Sequence, residues 1–234
     1  MLQLATGWDD IILDFFAGSG TTAHAVMALN AEDGGNRKWI CVQLPEKCKP
    51  ETEASKAGFA TIAHISRERI RRAGTKIKES VSSPPVKGDA WKAGGFLDLG
   101  FKSFKLDSSN FKLWNTQIKT VEELEQQMID FVDNVRPESS TQNLLYELII
   151  KSGYDLNVQL ESCKSPDGEY YRIAGGELVI CLADILTQRI FDAIIAGKPQ
   201  KIITLDRSFA GNDQLKTNMV LMAEQVGVVE FKVI

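Results

Sequence analysis

Gly18 and Gly20 stand in A-G-S-G-T-T, directly after the apolar run D-D-I-I-L-D-F-F over 9–16. A turn with glycine at both places lets the backbone approach a ligand closely, because a Cβ there would collide with it or forbid the required dihedrals. The helix expected to begin near Thr21 offers unpaired N–H groups at its first turn. Such a place suits a carboxylate or a phosphate. Asp14 precedes the turn, and Ser19 and Thr21 carry hydroxyls within it.

Three ligand classes compete for it. G-S-G-T-T-A fits the G-x-G-x-x-G/A fingerprint of dinucleotide sites, which also calls for an acid at the end of the next strand to hold the ribose. Here that strand ends in Gln43 and Leu44, with Glu46 two residues beyond. A P-loop is a poorer match, since no lysine follows the glycines to meet the β and γ phosphates. S-adenosylmethionine is the third class, with its methionine moiety against the glycine turn and its ribose hydroxyls at the end of the second strand. The wider string decides between them.

The elements around the turn read as strand, helix, strand. The run over 9–16 is a short buried strand. T-T-A-H-A-V-M-A-L-N-A is rich in helix formers and stops at the turn signal D-G-G-N (33–36), and K-W-I-C-V-Q-L (38–44) is a second buried strand. This is a βαβ unit, so the two strands should be parallel. Over 59–79, Ile62, Ile65, Ile70 and Ile77 fall near helical spacing with basic residues between them, which predicts an amphipathic helix with a basic outer face. S-V-S-S-P-P-V-K-G (80–88) breaks regular structure. Beyond it, the alternation of F-K-S-F-K-L (101–106) predicts a strand. Helices are expected over 121–135 and 141–152, the second stopping at Gly153. E-L-V-I-C-L, K-I-I-T-L-D and V-V-E-F-K-V-I are expected as strands, separated by helices near 185–196 and 212–226.

The expected fold class is α/β, with a Rossmann-like portion over 1–80, a linker over 81–95 and a smaller α/β domain over 96–234. Charge follows the same division: residues 1–95 carry a net +2 and residues 96–234 a net −6, within a total of −4. The halves should therefore meet different partners. No apolar run approaches the ~20 residues of a membrane span. The first ten residues, with two acids, do not read as a signal peptide, so a cytoplasmic location is expected. Cysteines at 41, 48, 163 and 181 form no C-x-x-C pair, and with His24 and His64 as the only histidines no metal site is expected. Buried, reduced thiols are expected instead.

D-F-F-A-G-S-G-T-T-A-H-A-V (14–26) contains F-x-G-x-G, the cofactor motif of DNA amino-methyltransferases. It resembles the β arrangement of that family, in which D-x-F-x-G-S-G-T-T lies in the C-terminal part of the catalytic domain. N-R-K-W-I-C-V-Q-L-P-E, T-I-A-H-I-S-R-E-R-I-R-R-A, F-K-L-D-S-S-N-F-K-L-W, G-N-D-Q-L-K-T-N and the terminal F-K-V-I resemble the modification subunit of type III restriction-modification systems. The resemblance implies S-adenosylmethionine as cofactor and transfer of its methyl group to the exocyclic amine of adenine in DNA. It places Phe16 beside the cofactor, Gly18 and Gly20 against its methionine end, Asp14 as acceptor for its amino group, and Ser19 and Thr21 as donors to its carboxylate. At the ribose, where relatives carry an acid, this chain aligns Gln43, so Glu46 is expected to share or replace that role. The implied partners are double-stranded DNA, a second modification subunit and a restriction subunit.

Several residues have a plainer reading beside the functional one. Phe15 is expected in the core, Asp14 is alternatively a cap on the turn, and His24 is read as a packed or surface histidine. Arg67, Arg69, Arg71 and Arg72 fit either phosphate contacts or a solvated helix face. The family's second motif, D-P-P-Y, supplies the groups that hold the target amine and stack on the flipped base. It is absent from this sequence, and S-S-P-P-V (82–86) puts Val86 where the aromatic is needed. No catalytic residue is therefore assigned, and the chain is read as a C-terminal fragment that does not methylate DNA by itself. The alternatives are an NAD-binding oxidoreductase or a non-catalytic scaffolding or dimerisation module. For the second half a nuclease is a further rival, with Glu177, Asp184 and Asp206 as candidate metal carboxylates.

Overall fold

The computed structural model describes residues 2–81 and 97–234. They form two compact units that divide between Lys105 and Leu106, each with both helices and strands.

The first unit opens with a short helix, α1 (Leu2–Ala5), and then the expected βαβ unit: β1 (Ile11–Asp14), α2 (Thr21–Asp33) and β2 (Lys38–Cys41), with the two strands parallel and Ile11 opposite Lys38. Helix α2 stops at Gly34, whose left-handed conformation (φ 74°) turns its N–H back to the Asn30 carbonyl at 2.9 Å. A one-turn helix, α3 (Glu53–Lys56), follows, and then the long α4 (Ile62–Val81). Ile70, Ala73 and Ile77 recur along one face of α4 and pack with Ala23 and Met27 of α2. Trp39 and Cys41 of β2 close this core from the sheet side. Among the described residues nothing covers the opposite side of the sheet. Leu13, Phe15, Ile40 and Val42 lie there, each more than two-fifths exposed. Phe15 is thus a surface residue, at 63% exposure, against the expectation that it belongs to the core. Helices α2 and α4 cover one face of this two-stranded sheet, and alternation sends Phe15 to the other.

The stretch expected to be a strand over 101–106 is irregular instead. Of its apolar residues Phe101 packs against the α4 core, together with Leu97 and Leu99 just before it, and sits 5.8 Å from the Trp39 ring, whereas Phe104 and Leu106 are exposed. Gly74 permits this crossing, since a Cβ there would lie 3.3 Å from the Leu99 carbonyl oxygen. These contacts put the division between units ten residues later than the one read from sequence. The expected linker over 81–95 lies, apart from Val81, outside the described residues.

The second unit holds α5 (Val121–Asp130), α6 (Thr141–Lys151), the hairpin β3 (Leu160–Ser165) and β4 (Gly168–Ile173), then β5 (Leu178–Cys181), α7 (Gln188–Ala196), β6 (Lys201–Thr204), α8 (Asp213–Gln225) and β7 (Glu230–Val233). The five strands lie in chain order in one mixed sheet, antiparallel from β3 to β5 and parallel from β5 to β7. All four residues of β5 are buried, as a strand covered on both faces requires. Val179 and Cys181 face a core with Ile190, Phe191 and Met219, while Leu178 and Ile180 face another with Leu144, Leu148 and Ile149. The sheet therefore lies between α6 on one side and α7 with α8 on the other. This second unit is the longer of the two, where a smaller one was expected.

Helix α5 ends at Asp130, five residues before the expected end. The Lys112 ammonium donates to the carbonyls of Asp130 and Asp133, both at 2.6 Å, and so satisfies groups a longer helix would have paired. The β3–β4 hairpin was not foreseen, although P-D-G (166–168) between two alternating runs is a hairpin signal. Cys181 is buried and Cys41, Cys48 and Cys163 are half-buried, all four as free thiols. Among the described residues no helix is long and apolar enough to cross a membrane.

Candidate functional site

The parallel ladder does not end with β1 but runs on into the turn. The Val42 N–H donates to the Asp14 carbonyl at 2.8 Å, and the Ala17 N–H to the Val42 carbonyl at 3.1 Å. The Asp14 carboxylate then fixes the bend, accepting the Phe16 N–H at 3.0 Å with Oδ1 and the Thr22 hydroxyl at 2.6 Å with Oδ2. Asp14 therefore caps the turn, and two carboxylate oxygens have lone pairs enough to accept a further donor. Phe16 lies at the bend and is 87% exposed.

Gly18 and Gly20 have φ values of 53° and 78°, a region that disfavours any residue with a Cβ. Their surroundings differ. A Cβ on Gly18 would meet nothing nearer than the Phe16 carbonyl at 3.8 Å, so that side of the turn is open. A Cβ on Gly20 would lie 2.9 Å from Cγ1 of Ile70. Gly18 thus has open space beside it. The close approach that Gly20 permits is to α4.

Other groups hold the turn in place. The Gly18 N–H donates to the Gln43 side-chain carbonyl at 2.7 Å, and the buried Ser66 hydroxyl donates to the Gly18 carbonyl. Gln43 is therefore at the turn but has its acceptor engaged. Glu46 is exposed beyond β2; its main-chain carbonyl receives the Ile62 N–H at 3.0 Å, and no hydrogen bond joins its carboxylate to the turn.

Helix α2 starts immediately after Gly20, with no side chain capping its first turn. Its free N–H groups carry the positive end of the helix dipole. Ser19 and Thr21 lie there with hydroxyl oxygens 3.4 Å apart, and the Arg69 guanidinium donates to them at 2.7 and 2.5 Å. The structure thus brings Asp14, Phe16, Gly18, Ser19, Gly20, Thr21 and Gln43 to one turn and leaves Glu46 outside its hydrogen bonds. Thr22, Ser66 and Arg69 were not singled out for it. Thr22 follows the motif directly, but nothing local marks residues some fifty positions away.

The basic cluster on α4 is divided by its partners. Arg71 and Arg72 share Glu68, at 2.6 and 2.7 Å, and hydrogen bonds from Arg72 and then Arg71 hold that carboxyl below its usual range. Arg67 reaches Ser103 at 3.5 Å and lines, with His64, Arg71 and Phe101, an open groove of about 680 Å³ that the glycine turn does not border. In the second unit Asp206 is paired with Lys216 at 2.6 Å. Among the described residues no three His, Cys, Asp or Glu side chains stand close enough to hold a metal ion.

Residues 1–54, which contain β1, the glycine turn, α2 and β2, match the family model described as DNA methylase. That match covers 54 of the chain's 234 residues. The chain is 47% identical over 105 residues to the type III restriction-modification enzyme StyLTI Mod subunit of Salmonella typhimurium, which covers 45% of this chain and 14% of that protein. The EcoP15I Mod subunit of Escherichia coli is 42% identical over 79 residues, 34% of this chain and 12% of that one. The type II methyltransferase M.KpnI of Klebsiella pneumoniae is 48% identical over 62 residues, 26% of this chain and 15% of that one. The matches thus span about one seventh of these relatives' length or less, and the methylase segment falls on the turn just described.

Proposed function

We propose that this chain carries the S-adenosylmethionine-binding part of a type III modification subunit, an adenine-N6 DNA methyltransferase. The observation that carries the reading is the turn between β1 and α2. Its Gly18 face is open and it leads into a helix whose first turn has no side-chain cap, within the segment that matches the methylases. A ligand with an anionic end fits such a place. The cofactor supplies a methyl group activated on a sulfonium.

The chain's own residues divide the binding. Ser19, Thr21 and the first N–H groups of α2 hold the carboxylate, and Asp14 accepts the amino group with the lone pairs its turn bonds leave free. The exposed Phe16 ring flanks the adenine. Gln43 acts indirectly by pinning Gly18, which leaves the ribose hydroxyls to Glu46. Residues 1–80 form the Rossmann-like portion of the methyltransferase. Transfer to adenine needs a D-P-P-Y motif that this sequence lacks, so the chain binds cofactor without methylating DNA by itself. The second unit, with its net negative charge, contacts a second modification subunit and the restriction subunit, and DNA is held by the methyltransferase as a whole.

Calorimetric titration tests the cofactor. Saturable binding of S-adenosylmethionine with none of NAD is expected. Tight NAD binding with none of the methyl donor would replace the reading with a dinucleotide enzyme.

A further inference from the structure

We infer that Arg69 is a cofactor-binding residue, its guanidinium forming a salt bridge with the carboxylate of S-adenosylmethionine. The inference rests on the cofactor reading above and adds a residue from α4 that lies outside the segment matching the methylases.

Electrostatics makes the position of Arg69 informative. Its guanidinium sits on the hydroxyls of Ser19 and Thr21, at the N-terminal end of the 13-residue α2. A cation there faces the positive end of the helix dipole, an arrangement that disfavours it. Among the described residues no carboxylate is paired with it, whereas Arg71 and Arg72 on the same helix share Glu68. Two neutral hydroxyls, both exposed, are its acceptors in their place. A carboxylate bound over the first turn of α2 reverses the sign. It receives the helix N–H groups and the guanidinium together, and charge-assisted bonds of this type are about twice as strong as the neutral ones they replace. Placement is fixed from below, because Ser66 and Ile70, the neighbours of Arg69 on the buried side of α4, hold Gly18 and pack against Gly20.

Arg69→Gln tests the assignment in the full chain with two ligands, S-adenosylmethionine and its decarboxylated analogue, which keeps the sulfonium and the amine. The substitution is expected to weaken S-adenosylmethionine about 10-fold or more, corresponding to ~1.4 kcal/mol. Affinity for the decarboxylated analogue should stay the same or rise, and Arg69→Lys should recover part of the lost affinity. Equal weakening of both ligands would show that Arg69 only props the turn and would overturn the inference. Unchanged affinity for both would overturn it as well. Failure of the unsubstituted chain to bind either ligand would overturn the cofactor reading itself, and this inference with it.

Discussion

Replacing Gly20 by valine should cost the first unit about 3 kcal/mol or more of stability, whether or not a ligand is present. Two effects add. At φ 78° and ψ 33° the residue is left-handed, which costs a residue with a Cβ roughly 1–2 kcal/mol and a β-branched one the upper end of that range. The new Cβ would also lie 2.9 Å and 3.0 Å from two carbons of Ile70 and 3.3 Å from the Ser66 carbonyl oxygen. Ile70 is 4% exposed and belongs to the core between α2 and α4, so it has no free space to move into. Overpacking of this kind costs about 1–3 kcal/mol. Gly58 is the control, since its φ is 86° but nothing lies within 4 Å of its Cβ position. Gly58→Val should show the backbone cost alone. Urea midpoints of the two variants measure the difference, and an equal loss in both would show that the α4 contact contributes nothing.

Glu147→Ala should destabilise the second unit by about 3 kcal/mol, because Ser109 and Asn110 of the irregular chain before α5 are anchored through this carboxylate. On α6 it accepts the Ser109 hydroxyl at 2.5 Å, the Asn110 N–H and side-chain amide both at 2.7 Å, and the Lys151 ammonium at 2.8 Å. Burial alone would push the carboxyl up. The bonds from Lys151, Ser109 and Asn110 outweigh it and bring the value down to about 2 from 4.5. A depressed carboxyl contributes stability that is fully present above its unfolded value and is lost as pH falls through the folded one. The unit should therefore lose this contribution between about pH 4.5 and pH 2. Unfolding midpoints measured across that window should fall more steeply for the unsubstituted chain than for Glu147→Gln, which has no charge there to lose. Parallel profiles would contradict the assignment.

The clearest elements in the sequence were those whose pattern has a single cause. The βαβ unit was legible because a buried strand, two glycines, a helix-forming run and a second buried strand follow one another without interruption. The alternation of 101–106 misled because only its first residue, Phe101, packs on the α4 core, with Leu97 and Leu99 before it, while Phe104 and Leu106 are exposed. Phe15 was misplaced for a different reason: apolar character marks a residue as a candidate for the core, but no described residue covers that face of the sheet. Within the site, the motif marked Asp14, Phe16, Gly18, Ser19, Gly20 and Thr21 but not Thr22, whose hydroxyl meets Asp14. It did not show that Gln43 spends its carbonyl on Gly18, or that Gly20 faces Ile70, because both depend on packing across the unit. Arg69 was visible only as one of four arginines on a helix; its contact with Ser19 joins positions 50 apart. Sequence spacing along α4 carries no trace of which arginine meets the turn.

The central claim is that S-adenosylmethionine binds at the turn between β1 and α2. Ultraviolet cross-linking of methyl-labelled S-adenosylmethionine to the full chain, followed by peptide mapping, tests both the ligand and the place. The account predicts label on the peptide that contains Asp14 to Thr21, with Phe16 as the principal attachment point, and its loss in the presence of excess unlabelled cofactor but not of NAD. Label confined to the second unit, or no competable label at all, would contradict it.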